Sequence, residues 1–418
     1  MTTRDPSQAL LGKRNFNIFW CSRTLDATGD AFAMIALPLL VLDATGSVAQ
    51  MGLVTGSIGL GNLVSGVLFG SVVDRKDRRR LIVLCDLGRA MIYIAIPLGW
   101  WMFGPSMALT YVVAISAAYL STSVLITSTS AITNVVGQDE LVKANGLVQA
   151  ATALAFVAGP MLAGFGSRWL GSSRAMMLVS GLYLISAIQM CFVKLIRKAP
   201  VEEVGDSGLG MLLGGVRYAF GEPVIRSVLI LLAAFAFLSE GVIDLAIFRL
   251  RHDMGQGDNT TGIVFGVASL GAILGGWLVS SLRAKWGFGI CFIGGLMIQG
   301  VAIGAIGLAP TALLIAQLAT AFTFANTVMR VNTMSLRQQI TPDRLLGRVS
   351  SLFSIGYTFP GAIGAAVASA VAHKLGPGPV LMASGILIAA VGSTGTLSSA
   401  RAKWPERTVL RKEFAVSD

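Results

Sequence analysis

The chain of 418 residues is 54% hydrophobic and only 13% charged, against roughly 25% charged in an ordinary soluble domain, so it has too few charges to cover a solvated surface. Its net charge of +11 would point to nucleic acid in a soluble protein. In a chain this apolar, basic residues serve orientation in a bilayer instead.

In chain order, apolar runs near or above the roughly 18–20 residues that cross a bilayer fall at 16–42, 48–73, 81–103, 107–132, 144–167, 174–196, 223–248, 259–282, 288–308, 311–336, 347–372 and 377–399. These spans predict an all-α membrane protein with twelve transmembrane helices. The first carries Arg23, Asp26 and Asp30, and so reads as its own insertion signal rather than a cleaved leader. Cys21, Cys85, Cys191 and Cys291 are widely spaced inside the spans with no C-x-x-C pair, which argues against a disulfide framework or a zinc site.

With the N-terminus placed in the cytoplasm, the connections on the opposite face hold only Arg168, Arg174, Arg249, Arg251 and Lys374, and Arg23, Arg89 and Arg330 lie within spans. The rest of the 32 Lys and Arg fall on the cytoplasmic side, as the positive-inside rule requires. Anionic lipid headgroups are therefore the expected partner of the basic face, not nucleic acid. The expected location is a bacterial cell (inner) membrane, crossed many times, with both termini cytoplasmic.

The connection between spans 2 and 3 is the most specific stretch. From Gly70 to Arg80 it packs seven charges into eleven residues, including Asp74, Arg75, Lys76, Asp77, Arg78 and Arg79. It resembles the loop of the major facilitator superfamily of secondary transporters, written G-x-x-x-D-R-x-G-R-R, with Asp77 in place of the second glycine. The resemblance implies a fold of two pseudo-symmetric six-helix bundles. It also implies a gating role for Gly70, Asp74, Arg75, Arg78 and Arg79, with the Asp74 carboxylate set against the N-terminus of helix 11, near Gly347 and Arg348, whose free amides favour an anion. Asp86 with Arg89, Ala144-Asn145-Gly146, Gly159-Pro160 with Gly164, and Thr341-Pro342-Asp343 extend the resemblance to the macrolide-efflux and enterobactin-exporter branch. The fourth span lacks the arginine motif of the proton-coupled drug antiporters.

An internal repeat agrees with this architecture. A shift of 210 residues sets Gly52, Gly56, Gly61 and Gly66 on Gly262, Gly266, Gly271 and Gly276, and Asp30 on Glu240. The expected division is a bundle over 1–196, a cytoplasmic linker over 197–222, a second bundle over 223–400 and a tail over 401–418, with a monomer as the family default.

Charges within the membrane are costly, roughly 2.5–3.5 kcal/mol each on insertion scales, so those present are expected to pair or to work. Arg23, Asp26 and Asp30 share one helical face at i, i+3 and i+7. Arg23 can neutralise Asp26, which leaves Asp30 as a candidate proton carrier or as a structural hydrogen-bond partner. Glu240, the repeat mate of Asp30, and Asp244 answer in the seventh span; with Asp26 they join Asp30 as proton-coupling candidates, Asp244 also being close enough to the outer surface to pair with Arg249 or Arg251. Asp86 and Arg89 read as an intrahelical pair supporting the basic loop. Asn326, Thr327 and Arg330, with Arg23, are candidates to line a substrate cavity, although Arg330 can also reach the cytoplasmic interface. The hydroxyls of the fourth span and the glycines of Gly159-Pro160 and Gly164 read first as close-packing devices.

No phosphate-binding loop, zinc motif or nucleotide-binding domain is legible, so an enzyme is not expected, nor any cofactor or metal. These features lead to a secondary transporter that exports lipophilic or amphipathic small molecules in exchange for protons by alternating access. A proton-coupled metabolite importer of the same fold and a non-transporting sensor remain open. Asp74→Asn is expected to impair transport while leaving the protein in the membrane, which transport assays with parallel membrane quantification would check.

Overall fold

The structure, a computed structural model, describes residues 13–69, 77–136, 140–195 and 216–406. Among the described residues there is no strand. The helices are α1 (Arg14–Thr45), α2 (Val48–Leu68), α3 (Arg78–Phe103), α4 (Met107–Ala131), α5 (Leu141–Leu170) and α6 (Ser172–Cys191). Then follow α7 (Pro223–Ser239, resuming as Val242–Phe248), a long run Asp258–Leu308, α10 (Ala312–Ile340), α11 (Asp343–Leu375) and α12 (Pro377–Gly395). The long run breaks at Gly287, with φ 80° and ψ 179°, and so contains two arms, α8 (258–286) and α9 (288–308). Among the described residues ten helical runs are long and apolar enough to cross a membrane; counting both arms of the broken run and adding the 21-residue α2 accounts for the twelve spans read from the sequence. At about 1.5 Å per residue, the 32 residues of α1 exceed the roughly 30 Å hydrocarbon core. That surplus explains why several helices run past their apolar runs.

Local chemistry sets the helix ends. Asp77 caps α3, its carboxylate accepting from the amides of Arg79 at 2.9 Å and Arg80 at 3.3 Å, and Ser106 and Thr311 cap α4 and α10 in the same way. Gly104, Gly171 and Gly376 turn the chain with positive φ. Pro223 and Pro377 open α7 and α12 in the first helical turn, where a missing amide hydrogen costs nothing.

The chain separates into two compact units. The first holds α1, α2 from Ser57 onward, α3 to α6, and Gln256–Gly266, which includes the start of α8; the second holds Val48–Gly56, α7, the rest of α8 and α9 to α12. In the first unit α1 packs on α5 and α6, and α3 on α4 and α6. Phe16, Phe19, Ile82, Cys85 and Met190 fill its core at one end. In the second, α7 packs on α11 and α12.

The predicted linker lies largely outside the described residues, and Glu222 at its end precedes α7. The predicted tail does not simply lead away from α12. Residues 402 and 403 return to the α8–α9 break, where the Phe288 amide donates to the Lys403 carbonyl at 2.9 Å and the Gly289 amide to the Ala402 carbonyl at 3.1 Å. Those amides open α9 and would otherwise lack partners. Glu406 adds an ion pair with Arg283 at 3.4 Å.

Within the basic connection, Gly70, Asp74 and Arg75 lie outside the described residues. Arg78 donates to Asn134 Oδ1 at 2.7 Å and Arg79 to the Cys191 carbonyl, so both cations are engaged by the first unit. The N-terminus of α11 begins at Asp343, one turn before the expected position near Gly347 and Arg348, because Pro342 ends the preceding extended link. The replacement of the motif's glycine by Asp77 is explained by its capping role. Asp77→Ala is expected to lower stability by about 1 kcal/mol, the usual worth of an N-cap, seen as a reduced unfolding midpoint in detergent.

Candidate transport site

The first unit encloses a continuous ionic network built from four helices. From α1 come Arg23, Asp26 and Asp30, from α3 Asp86 and Arg89, from α4 Ser121, and from α6 Tyr183 and Ser186. Arg23 meets Asp26 at 3.2 Å and Asp86 at 2.9 Å. Arg89 meets Asp86 at 2.5 Å, Asp30 at 3.2 Å, and Asp26 as well. Ser186 donates to Asp86 at 2.8 Å and accepts from Arg23 at 3.2 Å. The Arg89 guanidinium also lies 4.1 Å from the centre of the Tyr183 ring, a cation–π placement.

Burial grades across this network. Asp86 and Arg89 are fully buried and Arg23 is 6% exposed, whereas the Asp30 side chain is 35% exposed. Asp30 also accepts from the Tyr183 hydroxyl at 2.8 Å and from Ser121 at 3.0 Å. Three carboxylates thus share two guanidiniums, and the accessible member is the one held by the most neutral donors.

Asp86 and Arg89 form the expected intrahelical pair, and their side chains point into the unit, where Arg23, Asp26 and Asp30 of α1 complete their bonding. Arg23 does not line open space; four oxygen partners hold its guanidinium inside. Its match with Asp26 is present, although Asp26 is shared with Arg89.

In the second unit, Glu240 sits at the interruption of α7, between Ser239 and Val242. Tyr357 of α11 hydrogen-bonds its carboxylate, and Arg330 of α10 is near enough to act on it electrostatically. Arg330 is exposed. Asn326 donates to the buried Gln299 of α9 at 3.0 Å, and Thr327 packs where Gly275 of α8 leaves room. Asp244 does not pair with Arg249: that guanidinium meets Asp253 at 3.7 Å and the Ala309 carbonyl at 3.0 Å. Asp244 instead hydrogen-bonds Thr55 of α2, because the helical turn points its side chain into the unit.

The helix 5 residues have a packing explanation. A Cβ on Gly159 would fall 2.8 Å from the Phe32 amide nitrogen of α1, and one on Gly164 would fall 2.9 Å from the Cα of Gly262. Close backbone approach therefore requires both glycines, with Pro160 between them. Most hydroxyls of α4 bond their own helix, as Thr127 does to the Ser123 carbonyl at 2.7 Å; Thr122 donates instead to Asn62 of α2 at 2.9 Å, and Ser121 reaches the ionic network. Tyr183 and Ser186 fall outside the expected site residues, and Ser121 is one of the fourth-span hydroxyls expected to serve packing. The spacing of Ser180, Tyr183 and Ser186 at every third residue of an apolar helix was the available signal. Among the described residues no group of His, Cys, Asp and Glu could hold a metal.

Apolar helices of bilayer length, some of them enclosing a buried and partly accessible ionic network, define a multi-pass membrane protein. The chain belongs to the Major Facilitator Superfamily, whose family profile matches residues 19–365. It is similar to the enterobactin exporter EntS of Shigella flexneri, 24% identical over 391 residues with 90% of each chain covered. EntS of Citrobacter koseri is 23% identical over 390 residues, again covering 90% of each. Among solved structures it resembles the nucleoside transporter NupG, with TM-score 0.75 and 11% identity over 92% of this chain and 99% of that one. A bacterial homologue of the iron transporter ferroportin in an inward-facing state gives TM-score 0.69 and 17% identity over 92% and 98%. At such identities the structural likeness is one of fold.

Removing the Arg89 guanidinium would leave the buried Asp26 and Asp86 and the partly exposed Asp30 with the single remaining cation Arg23. Arg89→Leu is expected to destabilise the protein by about 3–5 kcal/mol, the usual cost of breaking a buried ion pair, checked by thermal unfolding in detergent beside wild type.

Proposed function

We propose that this protein is a proton-coupled exporter of lipophilic or amphipathic small molecules, of the siderophore or drug class, in a bacterial inner membrane with both termini cytoplasmic. The observation that carries the reading is Asp30. It is the partly exposed acid of a network with one more carboxylate than guanidinium, so binding one proton balances the site. An ionised Asp30 is held by Arg89, Ser121 and Tyr183. A protonated Asp30 releases its claim on Arg89, which then turns to Asp26 and Asp86. Binding and release of a proton at Asp30 thus rearranges contacts between α1, α3, α4 and α6.

A cationic or polar substrate group competing with the proton for the same carboxylate gives exchange without a covalent step, since each must leave before the other binds. Glu240, set among Tyr357 and Arg330, supplies the corresponding acid of the second unit. The exporter names of the relatives at 23% and 24% identity support the outward direction. The asymmetric distribution of Lys and Arg supports the orientation, and the gating role of the Asp74 loop belongs to the same reading.

The test is accumulation of fluorescent dyes, antibiotics and siderophores in an efflux-deficient bacterium expressing wild type or Asp30→Asn, with and without a protonophore. Wild type is expected to lower accumulation several-fold for at least one compound class, and either the mutation or the protonophore to abolish that difference. Equal accumulation in every case, with membrane expression confirmed, would overturn the reading.

A further inference from the structure

Asp244 stands apart from the groups used above. It lies in the turn Val242–Phe248 of α7 and is 2% exposed. One of its oxygens takes the hydrogen bond from Thr55 of α2; the other, Oδ2, has no hydrogen-bond partner. Among the described residues it forms no ion pair.

Among the described residues the surroundings offer no compensating cation. From Val48 to Leu68 α2 carries no ionisable side chain, nor does α12 from Pro377 to Gly395. On α11, His373 and Lys374 occupy the last turn and are exposed. In the turn that follows α7, Arg249 is bound to Asp253, while His252 is 68% exposed beside Asp253 and Arg251 is partly exposed. The ionisable group that acts on Asp244 electrostatically is Glu240, a like charge one turn back.

A second buried polar group without a partner belongs to the same crossing. Ser369 of α11 is fully buried, and its Oγ has no partner. It packs against Gly52, one turn before Thr55 on α2, and a Cβ on Gly52 would also fall 2.7 Å from the Ala365 carbonyl. Gly241, one turn before Asp244, faces Ala365 and Ala368 across α11, where an added Cβ would find atoms at 3.3 Å and 3.2 Å. Thus α2, α7 and α11 meet on small residues, with a carboxylate oxygen and a hydroxyl sealed inside.

An uncompensated carboxylate in such a place is prohibitively costly, whereas a neutral carboxyl needs only hydrogen-bond partners. We propose that Asp244 is a second proton-binding site of this transporter, whose occupancy holds α2 against α7 and α11. With the proton in place, the carboxyl hydroxyl can donate within the sealed crossing while Thr55 donates to the other oxygen. Ionisation requires water, and water reaches Asp244 only when α2 parts from the other two helices. Proton occupancy and helix packing are therefore linked reciprocally: the proton favours the packed crossing, and parting favours proton release. The inference deepens the exchange reading and rests on it for the transport consequence alone, because both measurements below need no substrate and no transport.

The full chain in lipid nanodiscs provides the test. Infrared difference spectra between acidic and alkaline buffer are expected to show a protonated-carboxyl band that disappears in Asp244→Asn and persists in Asp30→Asn. Val54, 1% exposed beside Thr55, supplies the packing readout as Val54→Cys in a background with Cys21, Cys85, Cys191 and Cys291 changed to Ala. Labelling by a water-soluble maleimide, corrected for the reagent's own pH dependence with a thiol peptide, is expected to accelerate several-fold as the buffer turns alkaline. With Asp244→Asn added, labelling should stay slow at every pH. If the asparagine variant fails to fold, Asp244→Glu is expected to shift the infrared band instead of removing it. A band unchanged by either substitution, or labelling whose pH dependence survives Asp244→Asn, would overturn the proposal. Should these results hold while the accumulation test fails, the proton site stands and the export reading falls.

Discussion

A guanidinium in hydrocarbon must be matched by anions and hydrogen-bond acceptors, because neither water nor lipid supplies them at that depth. In this protein that requirement falls on Arg89, which is fully buried and reaches Asp26, Asp30 and Asp86 together. The first unit is arranged around its satisfaction: α1 must present two carboxylates to α3, and α6 must place Tyr183 and Ser186 beside them. A fork with several donors can do this where a single ammonium could not, since its planar geometry serves acids on different helices at once. The network also explains why one carboxylate can be left accessible. Asp86 and Asp26 already fix Arg89, so the bond to Asp30 can be made and broken without exposing a bare charge.

The second unit solves the same problem with fewer charges. Glu240 occupies a brief interruption of α7, and its partners are a tyrosine and one arginine. Asp244, a turn further on, has a threonine and no cation. Repeated architecture therefore does not carry repeated electrostatics. The 210-residue shift that joins Asp30 to Glu240 joins Arg89 to Gln299, a neutral side chain that is fully buried and bonded to the Gly295 carbonyl and to Asn326.

Much of the fold was legible because bilayer physics leaves few alternatives. Runs of apolar residues of spanning length have to be helical, and the helices fall where those runs lie, extended by a turn or so where polar residues continue past the membrane. The site was legible as a set of costly residues but not as a connected object. Helical spacing put Arg23, Asp26 and Asp30 on one face and paired Asp86 with Arg89; nothing in either segment disclosed that the faces look at each other. Tyr183 and Ser121 were harder still, since a lone tyrosine or serine in a membrane helix reads as ordinary packing. Asp77 shows the opposite case, a departure from a motif that local capping chemistry explains completely.

The return of residues 402 and 403 to the break at Gly287 bears on how the protein is made. Helices inserted in order of synthesis can settle as they emerge, yet the first amides of α9 wait for partners that the ribosome delivers only after α12. Until then the joint between α8 and α9 is a helix start without its acceptors, open to water or lipid headgroups. Maturation of the second unit is thus tied to completion of a segment that crosses no membrane, and a ribosome stalled within α12 would leave that joint unfinished.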